Sequence, residues 1–220
     1  MSAWSNFWSR HFPNGLFVTA ESEAAIAAQS SRLTTMSSII DPVQHSPPTQ
    51  GYGQGNQKRG GLFMGAVYTV TNQTDIFANN VGAVINCTHD LQAYPSYFSA
   101  QNNLKSNLGV TFARLTWADS LDQKLDANDI KGAVTFIHEK RSQGVSVLVH
   151  CVMGVSRSAT LVTAYLVAST KKSVEECIAD LKTKREEANP NDNFVGQLKE
   201  FEAELLALEL KDLTAESSPK

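Results

Sequence analysis

The most constraining feature of this sequence is a short apolar run that leads through one loop into a second apolar run. Residues 145–149, VSVLV, are rich in β-branched side chains and predict a buried strand. Residues 158–167 are apolar on nearly every face of a helix, which predicts a central, buried helix. A buried strand followed by a buried helix indicates an α/β fold.

Other strand and helix patterns follow the same scheme from residue 61 onward. Apolar runs predict strands at 62–67, 82–87 and 110–115. Three helices are predicted by apolar residues at helical spacing. The first contains Ile130, Val134 and Ile137, and the third contains Phe194, Leu198, Phe201, Leu205 and Leu208. The second begins at the capping box Ser173–Glu176 and places on one face Val174, Cys177, Ile178 and Leu181. These apolar stripes are typical of plain core.

Composition divides the chain into four parts. Residues 42–61 are rich in Pro, Gly and Gln, which is typical of a linker. We therefore expect an N-terminal extension of unknown role at 1–41, the main domain at 62–212 and a flexible tail at 213–220.

Three aromatic residues near the N-terminus would share one face of a helix. Trp4, Phe7 and Trp8 are spaced i, i+3 and i+4. Two interpretations stay open: the aromatic side chains pack on the main domain, or they dock a partner or a membrane surface.

Charge and cysteine count exclude several classes of protein. A net charge of −3 over 220 residues argues against an electrostatically driven nucleic-acid binder. No window approaches the roughly 18 uncharged apolar residues of a spanning helix, so we expect no stable membrane insertion.

Three cysteines do not make a disulfide framework and suit a reducing compartment. We therefore expect a cytoplasmic or nuclear location, with a mitochondrial one as a weaker alternative because no acidic residue precedes Glu21.

The loop between the two apolar runs has the residues of an anion site. Cys151 and Arg157 are separated by five residues that include Gly154. A strand-to-helix loop of this length can point successive backbone N–H groups inward, and Gly154 permits the curl. Arg157 can grip two oxygens of a phosphate. The positive potential of these N–H groups and of Arg157 also favours a thiolate, so we expect a lowered pKa for Cys151. Its sulfur would then be a nucleophile placed below a bound phosphorus.

The string H-C-x-x-G-x-x-R at 150–157 resembles the signature loop of the cysteine-dependent protein tyrosine phosphatase superfamily. The longer string HCVMGVSRSATLV is similar to dual-specificity phosphatases, especially their small atypical members. The resemblance covers about residues 60–210, with further similarity in LFMGA (62–66), VINCT (84–88) and PNDNFVGQLKEFE (190–202). It implies a central mixed, largely parallel sheet flanked by helices, and a catalytic domain at 62–212.

The resemblance also implies roles for individual residues. Asp119, 32 residues before Cys151, matches the general acid that protonates the leaving oxygen and then activates water; Asp122 is a nearby competitor. His150 matches the histidine that supports the loop and lowers the thiol pKa, and Ser158 matches the hydroxyl that assists breakdown of the thiophosphate. The residues expected to bind the substrate phosphate are Val152, Met153, Gly154, Val155, Ser156 and Arg157.

The other two cysteines, Cys177 and Cys87, lie outside this loop. Cys177 is expected in the core. Cys87 ends a predicted strand, and some members of the superfamily protect the nucleophile by a disulfide with a second cysteine. The alternative for Cys87 is simple burial.

The uncharged loop side chains favour singly phosphorylated substrates. Phosphoinositide phosphatases of the superfamily usually place lysines where this chain has Val152, Met153 and Val155. We therefore expect a phosphoprotein phosphatase that acts on phosphotyrosine and on phosphoserine or phosphothreonine through a cysteinyl-phosphate, without a metal or another cofactor. The alternatives are a phosphoinositide or RNA 5′-phosphate substrate, or a phospho-binding scaffold.

Overall fold

The computed structural model describes residues 36–40, 59–89, 91 and 95–216. The strands are β1 (Ser37–Ile40), β2 (Leu62–Gly65), β3 (Val81–Asn86), β4 (Thr111–Arg114) and β5 (Ser146–His150). The α-helices are α1 (Gln73–Ala78), α2 (Pro95–Leu108), α3 (Ala127–Ser142), α4 (Arg157–Thr170), α5 (Val174–Lys184) and α6 (Asp192–Glu216), and a 3-10 helix covers Val67–Thr71.

The strands form one sheet in the order β1-β2-β5-β3-β4. β5 is central and pairs in parallel with β2 on one side and β3 on the other. β4 adds to β3 in parallel, whereas β1 is antiparallel to β2 at the opposite edge. The predicted mixed, largely parallel sheet flanked by helices is confirmed.

Two hydrophobic cores cover the two faces of the sheet. On β5, Val147 and Val149 face a core built with α3, α4, α5 and α6, whereas Leu148 faces a core built with the 3-10 helix, α1 and α2. Both cores are possible because side chains of a strand alternate between faces. The five residues of β5 are all buried, which explains why its sequence is a continuous apolar run.

The predicted helices over the second half of the chain are present. The capping box is formed: Ser173 Oγ accepts from the Glu176 backbone N–H, and the Glu176 carboxylate accepts from the Ser173 N–H at 2.9 Å. α6 continues through Glu216, so residues 213–216, predicted to lie in a flexible tail, are helical. Their sequence contains no glycine or proline that would stop a helix.

The sheet also includes a strand from the predicted N-terminal extension. In β1, Ile39 is buried and the strand pairs with β2. Gly60 and Gly61, predicted to lie in the linker, are buried against β5, where a Cβ on Gly60 would lie 2.0 Å from the Val145 carbonyl oxygen. The folded unit therefore extends N-terminal of residue 62.

The aromatic residues Trp4, Phe7 and Trp8 lie outside the described residues, and their docking stays a prediction. Within the part of the chain that the structure describes, no helix is both long and apolar enough to cross a membrane.

Candidate active site

The predicted anion loop lies at the carboxyl end of the central strand. Cys151 follows β5 directly, and Arg157 is the first residue of α4, the buried helix. The loop between them is flanked by the ends of β2 and β3, since Gly65 and Asn86 both pair with His150. In an open parallel sheet, this edge is where ligands bind.

The carbonyl groups of the loop are held from outside. In a trans peptide the C=O and the next residue's N–H point in opposite directions. Holding a carbonyl outward therefore turns the following N–H group toward the inside of the loop. The donors are His150 Nδ1 to Cys151 O (3.2 Å), Val67 N to Val152 O (3.1 Å), Arg185 Nε to Gly154 O (2.8 Å) and Asn189 N to Val155 O (2.8 Å).

Gly154 has the conformation expected from the sequence. Its φ is +68°, in the left-handed region that favours glycine. A Cβ there would lie 2.6 Å from the Gly65 carbonyl oxygen and 2.8 Å from Arg185 Nη2. No other residue fits at this position without displacing the neighbouring backbone.

The Cys151 thiol is buried inside the loop. Its Sγ accepts from the Gly154 N–H at 3.2 Å and lies 3.3 Å from Ser158 Oγ. Burial alone would raise the pKa of Cys151, but the positive charge of Arg157 and hydrogen bonds from Ser158 and Val155 outweigh it, so the pKa is lowered. The thiolate is the form that attacks electrophiles.

His150 supports the loop as a neutral imidazole. Burial lowers the pKa of His150 from 6.5 to about 4; the hydrogen bond to the Cys151 carbonyl opposes this shift and the charge of Arg157 adds to it. Because a carbonyl only accepts, Nδ1 of the neutral ring must donate, which leaves Nε2 to accept from the Tyr97 hydroxyl at 3.4 Å.

Arg157 covers the loop with a buried guanidinium that keeps donors for an anion. The residue is 5% exposed. Its Nη1 donates to the Trp117 carbonyl at 3.4 Å, and its Nε lies 3.6 Å from Asp119 Oδ2, too far for a hydrogen bond. Within the described residues the buried Nε makes no hydrogen bond. A planar, charged donor in this position suits a phosphoryl group.

Asp119 lies at the mouth of the loop. Its Oδ1 accepts from Ser156 Oγ at 2.7 Å and from Asn191 Nδ2 at 3.1 Å, and its side chain is 32% exposed. Asp122 is exposed, and no described contact joins it to the loop. Of the two candidates for the general acid, the structure therefore places Asp119 beside Arg157.

The loop and its surroundings match a known family. The family model described as "Dual specificity phosphatase, catalytic domain" matches residues 62–204. The chain belongs to this family.

Named dual-specificity phosphatases are similar over most of the domain. The chain is 36% identical over 143 residues to dual specificity protein phosphatase 22-A of Danio rerio, covering 64% of this chain and 62% of that protein. It is 34% identical over 161 residues to dual specificity protein phosphatase 22 of Xenopus laevis, covering 72% of this chain and 71% of that protein. The first of these relatives is therefore spanned over less than two thirds of its length.

Solved dual-specificity phosphatases share the fold. The structure of DUSP15 covers 77% of this chain and 99% of its own, with a TM-score of 0.56 and 26% identity. Human DUSP28 covers 67% of this chain and 94% of its own, with a TM-score of 0.57 and 24% identity.

Several residues of this candidate site were missed by sequence reasoning. Asn191 and the Ser156 hydroxyl hold Asp119, and Arg185 holds the loop. Asn193 Nδ2 donates to the Gln123 carbonyl at 2.7 Å, which ties the segment after Asp119 to α6. The available signal was P-N-D-N at 190–193, since asparagine before a helix is typical of a cap.

The side chains of the loop do not all face the substrate side. Val152 is buried and Met153 packs partly against the same core as Leu148. Val155 is half-buried. The backbone N–H groups of these residues, rather than their side chains, line the inside of the loop.

The other two cysteines are buried. Cys177 lies in the core, as the sequence predicts. Cys87 follows β3, its N–H donates to the His150 carbonyl at 2.8 Å, and burial together with the neighbouring Cys151 raises its pKa well above the ordinary value. Cys87 and Cys151 thus follow the neighbouring strands β3 and β5, and a disulfide between these two residues stays a hypothesis.

Proposed function

We propose that this domain hydrolyses phosphate monoesters of tyrosine and of serine or threonine in proteins through a cysteinyl-phosphate intermediate. The observation that carries the proposal is the position of the Cys151 sulfur. It lies 3.2 Å from the Gly154 N–H and 3.3 Å from Ser158 Oγ, in the loop that Arg157 closes. Family membership and named phosphatase relatives support this activity.

In the first step the Cys151 thiolate attacks the phosphorus. The P–S bond forms as the P–O bond to the side chain breaks, and inward N–H groups with Arg157 balance the charge on the phosphoryl oxygens. Asp119 gives its proton to the departing oxygen. Dephosphorylated protein then leaves, and Asp119 remains as a carboxylate held by Ser156 and Asn191.

In the second step water releases the phosphate. The Asp119 carboxylate takes a proton from water as its oxygen attacks phosphorus, and the P–S bond breaks. Negative charge returns to the Cys151 sulfur, where the Ser158 hydroxyl at 3.3 Å donates to it. Inorganic phosphate leaves with the proton balance restored.

A phosphoinositide substrate is the second candidate. The structure of PTPMT1 in complex with PI(5)P covers 67% of this chain, with a TM-score of 0.56 and 26% identity. Against this substrate, positions 152–156 carry no lysine or arginine that could meet additional phosphates. A singly phosphorylated protein side chain has no additional phosphate that would need such a cationic partner.

A reducing location fits the proposed chemistry. A thiolate nucleophile must stay reduced, and the three cysteines, all described, are free in the structure. We therefore retain a cytoplasmic or nuclear location and a role in signalling as part of the proposal.

The test is phosphate release from a matched substrate panel. The panel contains phosphotyrosyl, phosphothreonyl and phosphoseryl peptides, short-chain phosphoinositides and an RNA 5′-phosphate, each incubated with wild type and Cys151→Ser. We expect turnover of the peptides by wild type only. Faster turnover of a phosphoinositide or of RNA would show that this molecule, rather than a phosphoprotein, is the substrate. Binding of phosphopeptides without turnover would favour a phospho-binding scaffold.

A further inference from the structure

Arg185 is a buried arginine that the proposed mechanism does not use. It follows α5 and is 6% exposed. Its Nε donates to the Gly154 carbonyl at 2.8 Å, and its Nη1 donates to Ser37 Oγ on β1 at 3.2 Å. Its Nη2 lies 2.8 Å from the point that a Cβ on Gly154 would occupy. The guanidinium is therefore packed directly against the back of the loop.

We propose that Arg185 is a positioning residue that orients the Gly154–Val155 peptide so that its N–H group faces the nucleophile and the bound phosphoryl group. The inference rests on the phosphatase reaction proposed above and adds to it a residue that acts through the loop without touching the reacting atoms.

The geometry of the peptide bond links Arg185 to the inside of the loop. The structure has no cis peptide bond among the described residues. In the trans peptide that joins residues 154 and 155, the C=O and the N–H point in opposite directions. Because Arg185 holds the Gly154 oxygen on the outside, the Val155 N–H points inside. That N–H group is one of those that lower the pKa of Cys151.

The charge of Arg185 distinguishes it from the other donors that hold the loop. Val67 and Asn189 use backbone N–H groups, and His150 is a neutral imidazole. Among the described residues, Arg185 is the only cation that donates to a loop carbonyl. A hydrogen bond from a charged donor is roughly twice as strong as one between neutral groups and polarises the peptide that accepts it. Both effects strengthen the Val155 N–H as a donor.

β1 fixes the other side of the guanidinium. Gly154 binds Nε and Ser37 binds Nη1, so two elements hold its plane. This contact joins β1 to the loop although Ser37 and Arg185 are 148 residues apart in the chain. Loss of the Ser37 hydroxyl should loosen the guanidinium without removing its bond to Gly154.

The experiment measures the thiol pKa of Cys151 from the pH dependence of inactivation by iodoacetate, together with inhibition by inorganic phosphate. Arg185→Met removes the donors and keeps much of the length of the side chain. We expect the apparent pKa of Cys151 to rise by about one unit and phosphate inhibition to weaken about tenfold. Arg185→Lys should recover part of both changes because it restores a cationic donor.

Arg141→Met is the matched control. Arg141 is 7% exposed and uses the same chemistry elsewhere, with Nε donating to the Gly60 carbonyl at 2.9 Å and Nη1 to the Tyr165 hydroxyl at 2.6 Å. We expect this variant to lose stability while the thiol pKa of Cys151 stays at the wild-type value. An equal shift in Arg141→Met would overturn the proposal, because the effect would then follow from general loosening of the fold.

The result also depends on whether Arg185→Met folds. A folded Arg185→Met with wild-type thiol pKa and phosphate inhibition contradicts the proposal. If that variant does not fold, Ser37→Ala replaces it, with a smaller rise of the same pKa expected and no rise counting against the proposal. Iodoacetate inactivation needs no turnover, so failure of this inference is distinguishable from failure of the phosphatase activity.

Discussion

The hydroxyl of Ser156 donates a 2.7 Å hydrogen bond to Oδ1 of Asp119, and this bond joins the phosphate-binding loop to the segment that carries the proposed general acid. The two residues are 37 positions apart in the chain. The loop binds the phosphoryl group, and Asp119 must reach the leaving oxygen. The bond therefore fixes the distance between the bound phosphoryl group and the proposed general acid.

Ser156→Ala should lower kcat for a phosphotyrosyl peptide about tenfold. The bond from Ser156 strengthens as Asp119 gives up its proton and becomes charged in the transition state. A hydrogen bond to a charged group contributes roughly 1.5–3 kcal/mol, and each 1.36 kcal/mol is tenfold in rate. KM should change little, since the backbone N–H of residue 156 remains. Steady-state kinetics give both constants. Ser169→Ala, which loses only a bond to the Leu166 carbonyl at the far end of α4, is the control; equal kcat in the two variants would refute the role of Ser156.

Asn191→Asp tests whether Asn191 positions Asp119, while it keeps the cap that stabilises α6. Asn191 Oδ1 accepts from the Phe194 N–H at 2.9 Å, and a carboxylate preserves this cap. The Nδ2 donor to Asp119 is lost, and two carboxylates then face each other. We expect Tm to stay within a few degrees of wild type while kcat falls at least as far as in Ser156→Ala. Loss of Tm in step with kcat would show a structural role only.

His150 should make the protein less stable in acid. The folded-state pKa of His150 is about 4 and the ordinary value is 6.5. Between these pH values the unfolded chain binds a proton that the folded chain does not, so the stabilisation present above pH 6.5 is lost as pH falls. At about 1.4 kcal/mol per unit, the full difference is about 3 kcal/mol.

His150→Asn keeps a donor near Nδ1 and removes the titration. Urea unfolding of wild type and this variant at a series of pH values from 7 to 4 measures the contribution. We expect the wild type to lose more free energy of unfolding over this interval than the variant. Parallel pH profiles would show that His150 has the same pKa in the folded protein as in the unfolded chain, and would contradict its burial as a neutral imidazole.

Ser158→Ala should slow the second step of the reaction. The hydroxyl lies 3.3 Å from the Cys151 sulfur and stabilises the thiolate that leaves phosphorus. With p-nitrophenyl phosphate, whose leaving group needs little protonation, we expect a burst of nitrophenolate of about one per chain, followed by slow turnover. Stopped-flow absorbance measures both phases. A uniform loss of rate without a burst would place the effect of Ser158 in the first step.

The loop was predictable from sequence because its chemistry is local. Cys151, Gly154 and Arg157 lie within one short connection, and the apolar runs before and after it determine which elements it joins. The left-handed backbone at Gly154 and the lowered pKa of Cys151 both follow from that segment. The sheet was predictable for the same reason, since each central strand is a separate apolar run.

The residues that hold the loop were not predictable, because their contacts are distant in sequence. Arg185 reaches Gly154 over 31 residues, and Asn191 reaches Asp119 over 72. No local pattern signals which buried arginine faces a carbonyl. β1 was missed because Ser37 and Ser38 precede only two apolar residues, and α2 because its buried stripe is sparse among Asn, Ser and Gln.

The most direct test of the account is the identity of the atom that carries phosphorus during turnover. Ser158→Ala is mixed with p-nitrophenyl phosphate, quenched with acid within the burst, digested and analysed by peptide mass spectrometry. We predict one phosphoryl group per chain, on Cys151, and neither label nor turnover in Cys151→Ser. A phosphoryl group on any other residue, or continued turnover by Cys151→Ser, would contradict the account.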